Sequence, residues 1–442
     1  MSGTPDFPLV DRPTEAVLFR RAGVSITAED VLCQAHVLAA DLPPGTHLLN
    51  LCRDRYAFVL TFLAALLRGQ VCLLTGERSA EQLARIASGY ADCAIATDDS
   101  AQSAPPDVPV HRVRLGPARP KPASNLHIPA DRLAAIAFTS GSTGAPVAHA
   151  KRWGALVQRS RAAAVEFGLV ETAPSQIVGT VPPQHMYGFE TTVLLPLHAP
   201  ATSWCDPVFF PDDMRGALAA LPAPRLLVTT PMQLQALLRA SPDLPSLAGF
   251  ISATAPLDAD LAAAVEARWH APMREIFGAT EVGSIASRRT LDGDTWHLYP
   301  DVQLTDGEIS APHAQIVPLD DDVEALGPRH FRLLGRRQDI LKLAGHRASL
   351  AGLNRILLSL EGVEDGTFLA PPDLEQRATA RLLAVVVAPG LSAGSIAEAL
   401  RGRVEPIFLP RRIILVPALP RNEFGKLRRD RLLELLANAD AV

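Results

Sequence analysis

The sequence predicts an α/β protein, with a large N-terminal α/β domain and a small C-terminal α+β domain. In the N-terminal part, short apolar runs of strand character alternate with longer runs of helical character. This alternation is typical of a parallel sheet whose strands are joined by helices. A basic segment near residue 337 separates these runs from a second, shorter series of elements.

Two strand–helix–strand series define the N-terminal domain. Glycine and proline, which occur 29 and 38 times in the chain, separate the elements by short loops. An extended loop is expected over residues 98–110. The predicted elements are strand 45–52, helix 57–68, strand 70–75, helix 80–93, strand 93–97, strand 225–230, helix 231–240 and strand 248–256.

The last hundred residues form a compact unit with an apolar core of its own. Residues 348–363 carry leucine and isoleucine at helical spacing. A strand over 380–389, a helix over 395–404 and a strand over 411–419 follow. We therefore predict two domains, residues 1–336 and residues 338–442.

Charge and composition exclude several classes of protein. The net charge of −5 argues against a globally basic nucleic-acid binder. The five cysteines form no CxxC pair, so neither a metal knuckle nor a disulfide framework is indicated. The most apolar run, residues 57–67, is too short to cross a bilayer, which needs about 20 residues. With no signal peptide in the first residues, we expect a cytoplasmic protein.

The stretch FTSGSTGAP at residues 138–146 follows an apolar run, LAAIAF, that predicts a buried strand. Small residues let backbone N–H groups approach an anion closely, and triphosphate is an anion that needs such a loop. The stretch is not a Walker A loop, because Gly144 is followed by Ala-Pro. Taken alone, it also fits a flexible surface loop.

Four further stretches appear with it in a fixed order, and together they resemble the adenylate-forming enzymes: acyl-CoA synthetases, luciferases and adenylation domains. The resemblance extends from residue 133 to residue 431. It implies that a carboxylate attacks the α-phosphate of ATP, and that a thiol then displaces AMP to form a thioester. The four stretches are SATAPL (252–257), FGATEVG (277–283), GRRQDILKLAGHR (335–347) and LPRNEFGKLRR (419–429).

The resemblance assigns nucleotide-binding roles to residues of the N-terminal domain. Thr280 is expected at the α-phosphate and Asp321 at the ribose. Arg336 is expected at the ribose or a phosphate, although it also fits a salt bridge at the domain boundary. Glu281 is expected to hold Mg²⁺, a hard cation that one carboxylate and phosphates can bind. The remaining nucleotide-binding residues are Thr139, Ser140, Gly141, Ser142, Thr143, Gly144, Ser252, Ala253, Thr254, Ala255, Pro256, Phe277 and Gly278.

The same resemblance assigns catalytic roles in and around the C-terminal domain. Lys426 would bridge the carboxylate and ATP during adenylation, since an ammonium group offers three donors. Lys342 would line the thiol tunnel after the small domain has rotated about Gln338. His185 matches the position of an aromatic gate, although it also fits a satisfied core histidine.

The sequence departs from the family pattern at two places. Where Pro-Lys-Gly is usual, the chain has Pro146, Val147 and Ala148, and a lysine arrives only at Lys151. Lys151 either supplies the missing charge or is a surface residue at a helix start. The second departure is AGLN at 351–354, where two glutamates are usual.

QHMYGFETT at residues 184–192 resembles the segment that lines the acid pocket of the family. Its Met186, Tyr187 and Phe189 favour an aromatic acid, and Glu190 or the threonines would recognise a ring hydroxyl. The short chain and the HxK that follows the phosphate loop resemble the hydroxybenzoate:acyl carrier protein ligases of aryl-polyene and xanthomonadin pigment clusters.

The thiol acceptor is left open between two kinds of molecule. Residues 401–431 hold nine basic side chains against three acidic ones, so an acidic acyl carrier protein is the expected acceptor. Coenzyme A also carries phosphates, so an aryl- or medium-chain acyl-CoA ligase is the alternative. A non-catalytic member of the fold is a further alternative, disfavoured because Thr280, Glu281, Arg336 and Lys426 occur together.

Overall fold

A computed structural model describes residues 4–116, 124–140, 146–319, 321–336, 340–343, 346–370, 381–421, 427 and 429–439. The chain divides into two compact units. The first comprises residues 1–317 with 326–331, and the second comprises residues 318–325 with 332–442.

The strands are short and are numbered in chain order. They are β1 (Asp6–Pro8), β2 (Val17–Arg21), β3 (Val24–Thr27), β4 (His47–Asn50), β5 (Val71–Leu74), β6 (Cys93–Thr97), β7 (Val110–Arg112), β8 (His127–Pro129), β9 (Leu133–Ser140), β10 (Pro146–Arg152), β11 (Ser175–Gly179), β12 (Ala201–Trp204), β13 (Arg225–Thr229), β14 (Gly249–Ser252), β15 (Met273–Ala279), β16 (Gly283–Arg289), β17 (Thr295–Leu298), β18 (Gln303–Thr305), β19 (Glu308–Ser310), β20 (Val317–Pro318), β21 (Asp321–Gly327), β22 (His330–Arg336), β23 (Ile340–Leu343), β24 (His346–Ser349), β25 (Asp365–Leu369), β26 (Leu383–Val387) and β27 (Arg412–Leu415).

The helices alternate with these strands. A π-helical turn, Glu190–Leu194, joins α5 to α6, and 3₁₀ turns occur at Thr290–Asp292 and Pro406–Phe408. The α-helices are α1 (Ala28–Asp41), α2 (Arg55–Leu67), α3 (Ala80–Ala87), α4 (Trp153–Glu166), α5 (Met186–Phe189), α6 (Leu195–His198), α7 (Pro211–Ala219), α8 (Pro231–Ala240), α9 (Ala259–Trp269), α10 (Leu350–Leu358), α11 (Ala393–Arg401) and α12 (Arg429–Ala439).

Two sheets organise the first unit. One has the order β10-β9-β5-β4-β6-β7, parallel except for the antiparallel pair β9 and β10. The other runs in the order β17-β16-β15-β14-β13-β11-β12-β2-β3. Its central strands β11 to β15 are parallel, as expected where helices connect successive strands.

Helix α2 corresponds to the most apolar run of the sequence. Asp54 caps it by accepting a hydrogen bond from the Ala57 amide at 2.9 Å, and its residues from Arg55 to Leu66 are buried. Phe58 and Phe62 of this helix meet the ring of Phe189 edge to face, at centroid distances of 6.1 and 5.0 Å. The run is thus a core helix, and none of the helices in the described ranges is long and apolar enough to cross a membrane.

The second unit contains a three-stranded sheet of order β25-β26-β27. Helices α10 and α11 pack on it through a core that includes Leu357, Phe368 and Leu400, each almost fully buried. Helix α10 begins after Ser349, whose hydroxyl accepts from the Gly352 amide, and it ends at Leu358, five residues before the predicted end. The leucine spacing predicted this helix, because one apolar stripe faces the sheet.

Candidate functional site

The phosphate-loop stretch starts on a β-hairpin at the edge of the first sheet. Strand β9 ends at Thr139 and Ser140, and β10 returns antiparallel to it, with Val147 opposite Thr139. Gly141, Ser142, Thr143 and Gly144 lie outside the described residues. The Thr139 hydroxyl lies 2.9 Å from Nε2 of His149, so the end of β9 is joined to β10 by a side-chain hydrogen bond as well as by the backbone.

The motif FGATEVG forms a tight turn between β15 and β16. A Cβ atom at Gly278 would lie 2.5 Å from the carbonyl oxygen of Gly283, so the two strands approach too closely there for a side chain. Gly283 has φ of +101°, a conformation that favours glycine. The Val282 amide donates to the Ala279 carbonyl at 3.1 Å and closes the turn. Thr280 and Glu281 therefore sit at the tip of a rigid turn.

Lys151 joins the hairpin to this turn. Its side chain is buried, and its ammonium donates hydrogen bonds to the carbonyl oxygens of Thr280 and Glu281, the second at 2.7 Å. Burial lowers the pKa of Lys151 to about 8, while Glu190 and Glu281 act in the opposite direction. The interpretation of Lys151 as a surface residue at a helix start is wrong, because it lies on β10 with its head group inside the protein.

His149 and Glu281 add a second contact between the same two elements. The Nδ1 atom of His149 lies 3.6 Å from Oε1 of Glu281. Burial lowers the pKa of His149, with Glu281 opposing the shift and Lys151 adding to it. We call Thr139, His149, Lys151, Thr280 and Glu281 the phosphate edge. The sequence indicates Thr139, Thr280, Glu281 and Lys151 as candidates, but no local pattern links His149 or Lys151 to the turn.

Glu281 fits the predicted Mg²⁺ site. Its side chain is 39 % exposed, so the carboxylate remains open to a ligand while His149 borders it on one side. Among the described residues there is no group of three or more His, Cys, Asp or Glu side chains that could hold a metal. One carboxylate that leaves the other positions to phosphates and water suits Mg²⁺ better than an all-protein cage would.

The stretch SATAPL at residues 252–257, predicted to bind the nucleotide, begins at the last residue of β14. Ser252 and Ala253 are buried, while Thr254, Ala255 and Pro256 are exposed, and Thr254 has a positive φ of 78°. The Leu257 amide donates to the buried Glu275 carboxylate at 3.0 Å and so fixes the end of the stretch. The loop is thus pinned after a run of accessible residues, an arrangement that suits ligand binding.

Two further residues predicted to bind the nucleotide, Phe277 and Asp321, lie on strands. Phe277, on β15, packs with its ring 5.5 Å from Trp296 and 5.9 Å from Phe331. Asp321 is the first residue of β21.

The predicted residues that follow are only partly described. Arg336 ends β22, and Lys342 pairs with Arg347 in the hairpin of β23 and β24, but the side chains of Arg336 and Lys342 lie outside the described part. Gln338 and Lys426 lie outside the described residues altogether. The roles given to these four residues stay predictions.

The segment 184–192 lies inside the first unit. His185 is half-buried just before α5. The hydroxyl of Tyr187 lies 2.8 Å from the Ile251 carbonyl and 3.2 Å from that of Thr229, so it ties α5 to the sheet. The expectation that Phe189 lines the acid pocket is wrong: its ring is fully buried against Phe58 and Phe62, because it faces helix α2.

An internal cavity lies beside this segment. It encloses about 20 Å³, which is room for one water molecule. Its polar wall is formed by Arg159, Glu190, Ser284 and Tyr299. Ser284 lies on β16, three residues beyond Glu281, so the cavity lies behind the phosphate edge.

A family model for AMP-binding enzymes matches residues 13–328, well over half of the chain. The chain belongs to the AMP-binding enzyme family. As a member, it is an AMP-forming acid–thiol ligase, an enzyme that converts an acid to an acyl-adenylate with ATP. The matched range contains three of the five stretches identified in the sequence, those at 138–146, 252–257 and 277–283.

Named relatives and solved structures are consistent with this family. The 4-coumarate–CoA ligase of Rhodobacter capsulatus is 28 % identical over 289 residues, 61 % of this chain and 67 % of the relative. That of Halorhodospira halophila is 29 % identical over 304 residues, 66 % of this chain and 74 % of the relative. The o-succinylbenzoate coenzyme A synthetase of Bacillus subtilis, solved with ATP and magnesium, matches with a TM-score of 0.80 at 16 % identity over 95 % of this chain and 97 % of that chain. The predicted fold class is confirmed.

Proposed function

We propose that this ligase activates an aromatic, hydroxybenzoate-like acid and passes the acyl group to the phosphopantetheine thiol of an acyl carrier protein. The observation that carries the first half of this proposal is the phosphate edge. Lys151 holds the turn of Thr280 and Glu281 against the hairpin that contains Thr139. Lys151 is 129 positions from Thr280 and 130 from Glu281, so distant parts of the chain meet at one site.

In the first half-reaction, a carboxylate oxygen of the acid attacks the α-phosphorus of ATP. The bond from this phosphorus to the bridging oxygen breaks, and pyrophosphate leaves with the electron pair. The Thr139 hydroxyl and the turn of Thr280 offer oriented polar groups to the phosphates, and rigid groups of this kind stabilise charge without reorganising. Mg²⁺ held by Glu281 would offset negative charge on the phosphates.

In the second half-reaction, the sulfur of the thiol attacks the acyl carbon and AMP leaves as the carbon–oxygen bond breaks. The thiol proton is lost on the way to the thioester. We assign Lys426 to the first half-reaction and Lys342 to the second, on the strength of the family resemblance of the segments around them.

The aromatic acid is supported by the names of relatives reported above. They are named for 4-coumarate and o-succinylbenzoate, both acids with an aromatic ring.

An exchange of labelled pyrophosphate into ATP tests the acid. Hydroxybenzoates or hydroxycinnamates should support exchange better than octanoate at equal concentrations. A preference for octanoate would exclude the aromatic acid and favour a medium-chain acyl ligase.

The carrier protein is supported by the basic segment 401–431, but ion pairs occupy part of it. Arg421 pairs with Asp365 at 2.7 Å, Arg431 pairs with Glu434 at 3.0 Å, and Arg401 pairs with Glu398. The names of the relatives favour coenzyme A as a second candidate. Both acceptors present the same thiol, so the chemistry does not distinguish them.

A comparison of the two acceptors tests the second half of the proposal. Thioester formation is measured with a holo-carrier protein and with coenzyme A at several salt concentrations. Carrier loading should be faster and should fall with salt, because surface charges are screened beyond about 8 to 10 Å. Equal or faster use of coenzyme A, or carrier loading that ignores salt, would select the second candidate.

A further inference from the structure

Glu190 is a buried carboxylate in the wall of the internal cavity. It begins the π-helical turn after α5, and only 8 % of the residue is exposed. Its Oε2 atom accepts hydrogen bonds from the Ser284 hydroxyl and from the Ser284 amide, the latter at 3.0 Å. The same amide lies 3.3 Å from Oε1. A carboxylate has about four acceptor positions, so Glu190 retains acceptor capacity for a further donor.

Arg159 and Tyr299 line the same cavity as Glu190. Arg159 is buried, forms an ion pair with Asp301 and donates to the Ser284 carbonyl at 3.2 Å. Tyr299 is fully buried, and within the described residues its hydroxyl has no hydrogen-bond partner. A buried hydroxyl without a partner is unfavourable by about 1–3 kcal/mol, so it points to a group missing from the protein itself.

The hydroxyl hydrogens of the two threonines in the same segment, Thr191 and Thr192, are not available to the cavity. The Thr191 hydroxyl donates to the Tyr187 carbonyl, and the Thr192 hydroxyl donates to the Gly188 carbonyl, each at 2.6 Å. Their donors are therefore taken up within the helix. Of the alternatives raised by the sequence, Glu190 is the one whose polar atoms are available to the cavity.

Most of the remaining wall is apolar, with side chains from Ile177, Val228, Ile251, Ile276 and Leu195. Ser160 also lines it, and its hydroxyl donates to the Leu156 carbonyl within α4. A low-dielectric wall strengthens a hydrogen bond to a buried charge. It also disfavours a second charge, and the enclosed volume of about 20 Å³ admits about one non-hydrogen atom.

We propose that this cavity is the site for a hydroxyl substituent on the aromatic ring of the acid, with Glu190 accepting its hydrogen and Tyr299 donating to its oxygen. In the absence of the acid, one water fits the same space. The proposal rests on the proposed function, because it identifies the substituent that selects among aromatic acids. Neither the family match nor the relatives assign these residues a role.

Pyrophosphate exchange with benzoate, 3-hydroxybenzoate, 4-hydroxybenzoate and their methyl ethers tests the site. For the unmodified enzyme, the better hydroxybenzoate should exceed benzoate in kcat/KM by about 10- to 100-fold, the range of a hydrogen bond to a charged group. Its methyl ether should be poor, since it has no hydrogen to donate and exceeds the space.

The variant Glu190→Gln should lower kcat/KM for the better hydroxybenzoate by about 10- to 100-fold. Benzoate, which offers no hydroxyl, should lose far less. Glu166→Gln is the matched control, because Glu166 also accepts from a serine hydroxyl, that of Ser287 at 2.6 Å, but does not line the cavity. This control should keep the preference for the hydroxyl. If Glu190→Gln does not fold, Tyr299→Phe removes a single oxygen and should lower the preference by about 2- to 10-fold.

The outcomes separate the two proposals. If the unmodified enzyme uses no aromatic acid, the proposed function is wrong and the hydroxyl site falls with it. If it uses aromatic acids but does not prefer a hydroxyl, or if the preference survives in both Glu190→Gln and Tyr299→Phe, only the hydroxyl site is wrong. Equal losses for hydroxybenzoate and benzoate in these variants would likewise overturn it, since they would show that Glu190 and Tyr299 merely support the fold.

Discussion

The phosphate edge and the internal cavity use similar side chains in opposite environments. Each contains one buried cation, Lys151 at the edge and Arg159 at the cavity, and each of these residues is 3 % exposed. Each also contains a carboxylate. That of Glu281 is more than a third exposed, whereas Glu190 is buried against the backbone and hydroxyl of Ser284.

The difference shows how exposure decides what a carboxylate can do. The carboxylate of Glu281 is open to solvent, as the proposed Mg²⁺ site requires, because Lys151 binds the backbone of the turn and leaves the carboxylate accessible. Burial raises the pKa of Glu190, with the Ser284 hydrogen bonds and two nearby cations opposing the shift. A carboxylate in that setting suits a neutral hydrogen-bond donor and not a cation with its hydration shell.

The largest expected effect is the loss of adenylation in a Lys426 variant. It tests whether the phosphate edge suffices for adenylation without this lysine. Loss of one transition-state donor typically lowers a rate by about 10²- to 10³-fold. Lys426→Ala should therefore nearly abolish adenylate formation, yet it should still transfer the acyl group from a pre-formed adenylate. Each half-reaction is measured separately, with Arg431→Ala as the control. Equal slowing of both steps would contradict the assignment.

A smaller effect is expected for the two buried cations, Lys151 and Arg159. Replacing each of them should change the KM for a different substrate. Lys151→Met removes charged hydrogen bonds that hold the turn, so adenylation should fall by about 10- to 100-fold, with a raised KM for ATP. Arg159→Met should instead raise the KM for the acid, because Arg159 lies at the cavity. Steady-state kinetics in both substrates measure this. If both variants raise the same KM, the edge and the cavity are not functionally distinct.

The effect of Gln338→Pro should be smaller again and should fall on the other half-reaction. Proline fixes φ, so it should hinder a rotation about this residue without touching the edge or the cavity. Adenylation should survive while thioester formation slows. Unchanged thioester formation would place the hinge elsewhere in the chain.

The last expected effect is on stability, and it depends on pH. The pKa of Lys151 is about 8 in the folded protein and 10.5 ordinarily, so the unfolded chain binds more protons between these values. The free energy of unfolding of the native enzyme should therefore rise relative to Lys151→Met as pH increases from about 8 to 10.5. Urea unfolding at several pH values measures it. Arg159→Met should show no such trend, and a falling difference for Lys151→Met would contradict the burial of a charged amine.

Much of the fold followed from local patterns in the sequence. The apolar run at 57–67 gave a buried helix, and strand 225–230 with helix 231–240 were placed within one residue of β13 and α8. Helix ends were less accurate, as at α10, because caps and turns decide where a helix stops. The expected loop over 98–110 holds except at its last residue, where β7 begins.

The five ordered stretches predicted by themselves the family and the reaction type, since their spacing and residue types are local properties. The residues that they place around the phosphates stay predictions. Only the tertiary structure decided that Lys151 binds the turn, that Phe189 packs against helix α2 and that the cavity exists. Glu190 meets Ser284 across 94 positions, and Arg159 meets Asp301 across more than a hundred. Periodicity along the chain indicates which face of an element is buried, but not which distant charge or hydroxyl it will be buried against. That choice depends on how the sheets and helices pack, and packing also removes the water that would otherwise satisfy these groups.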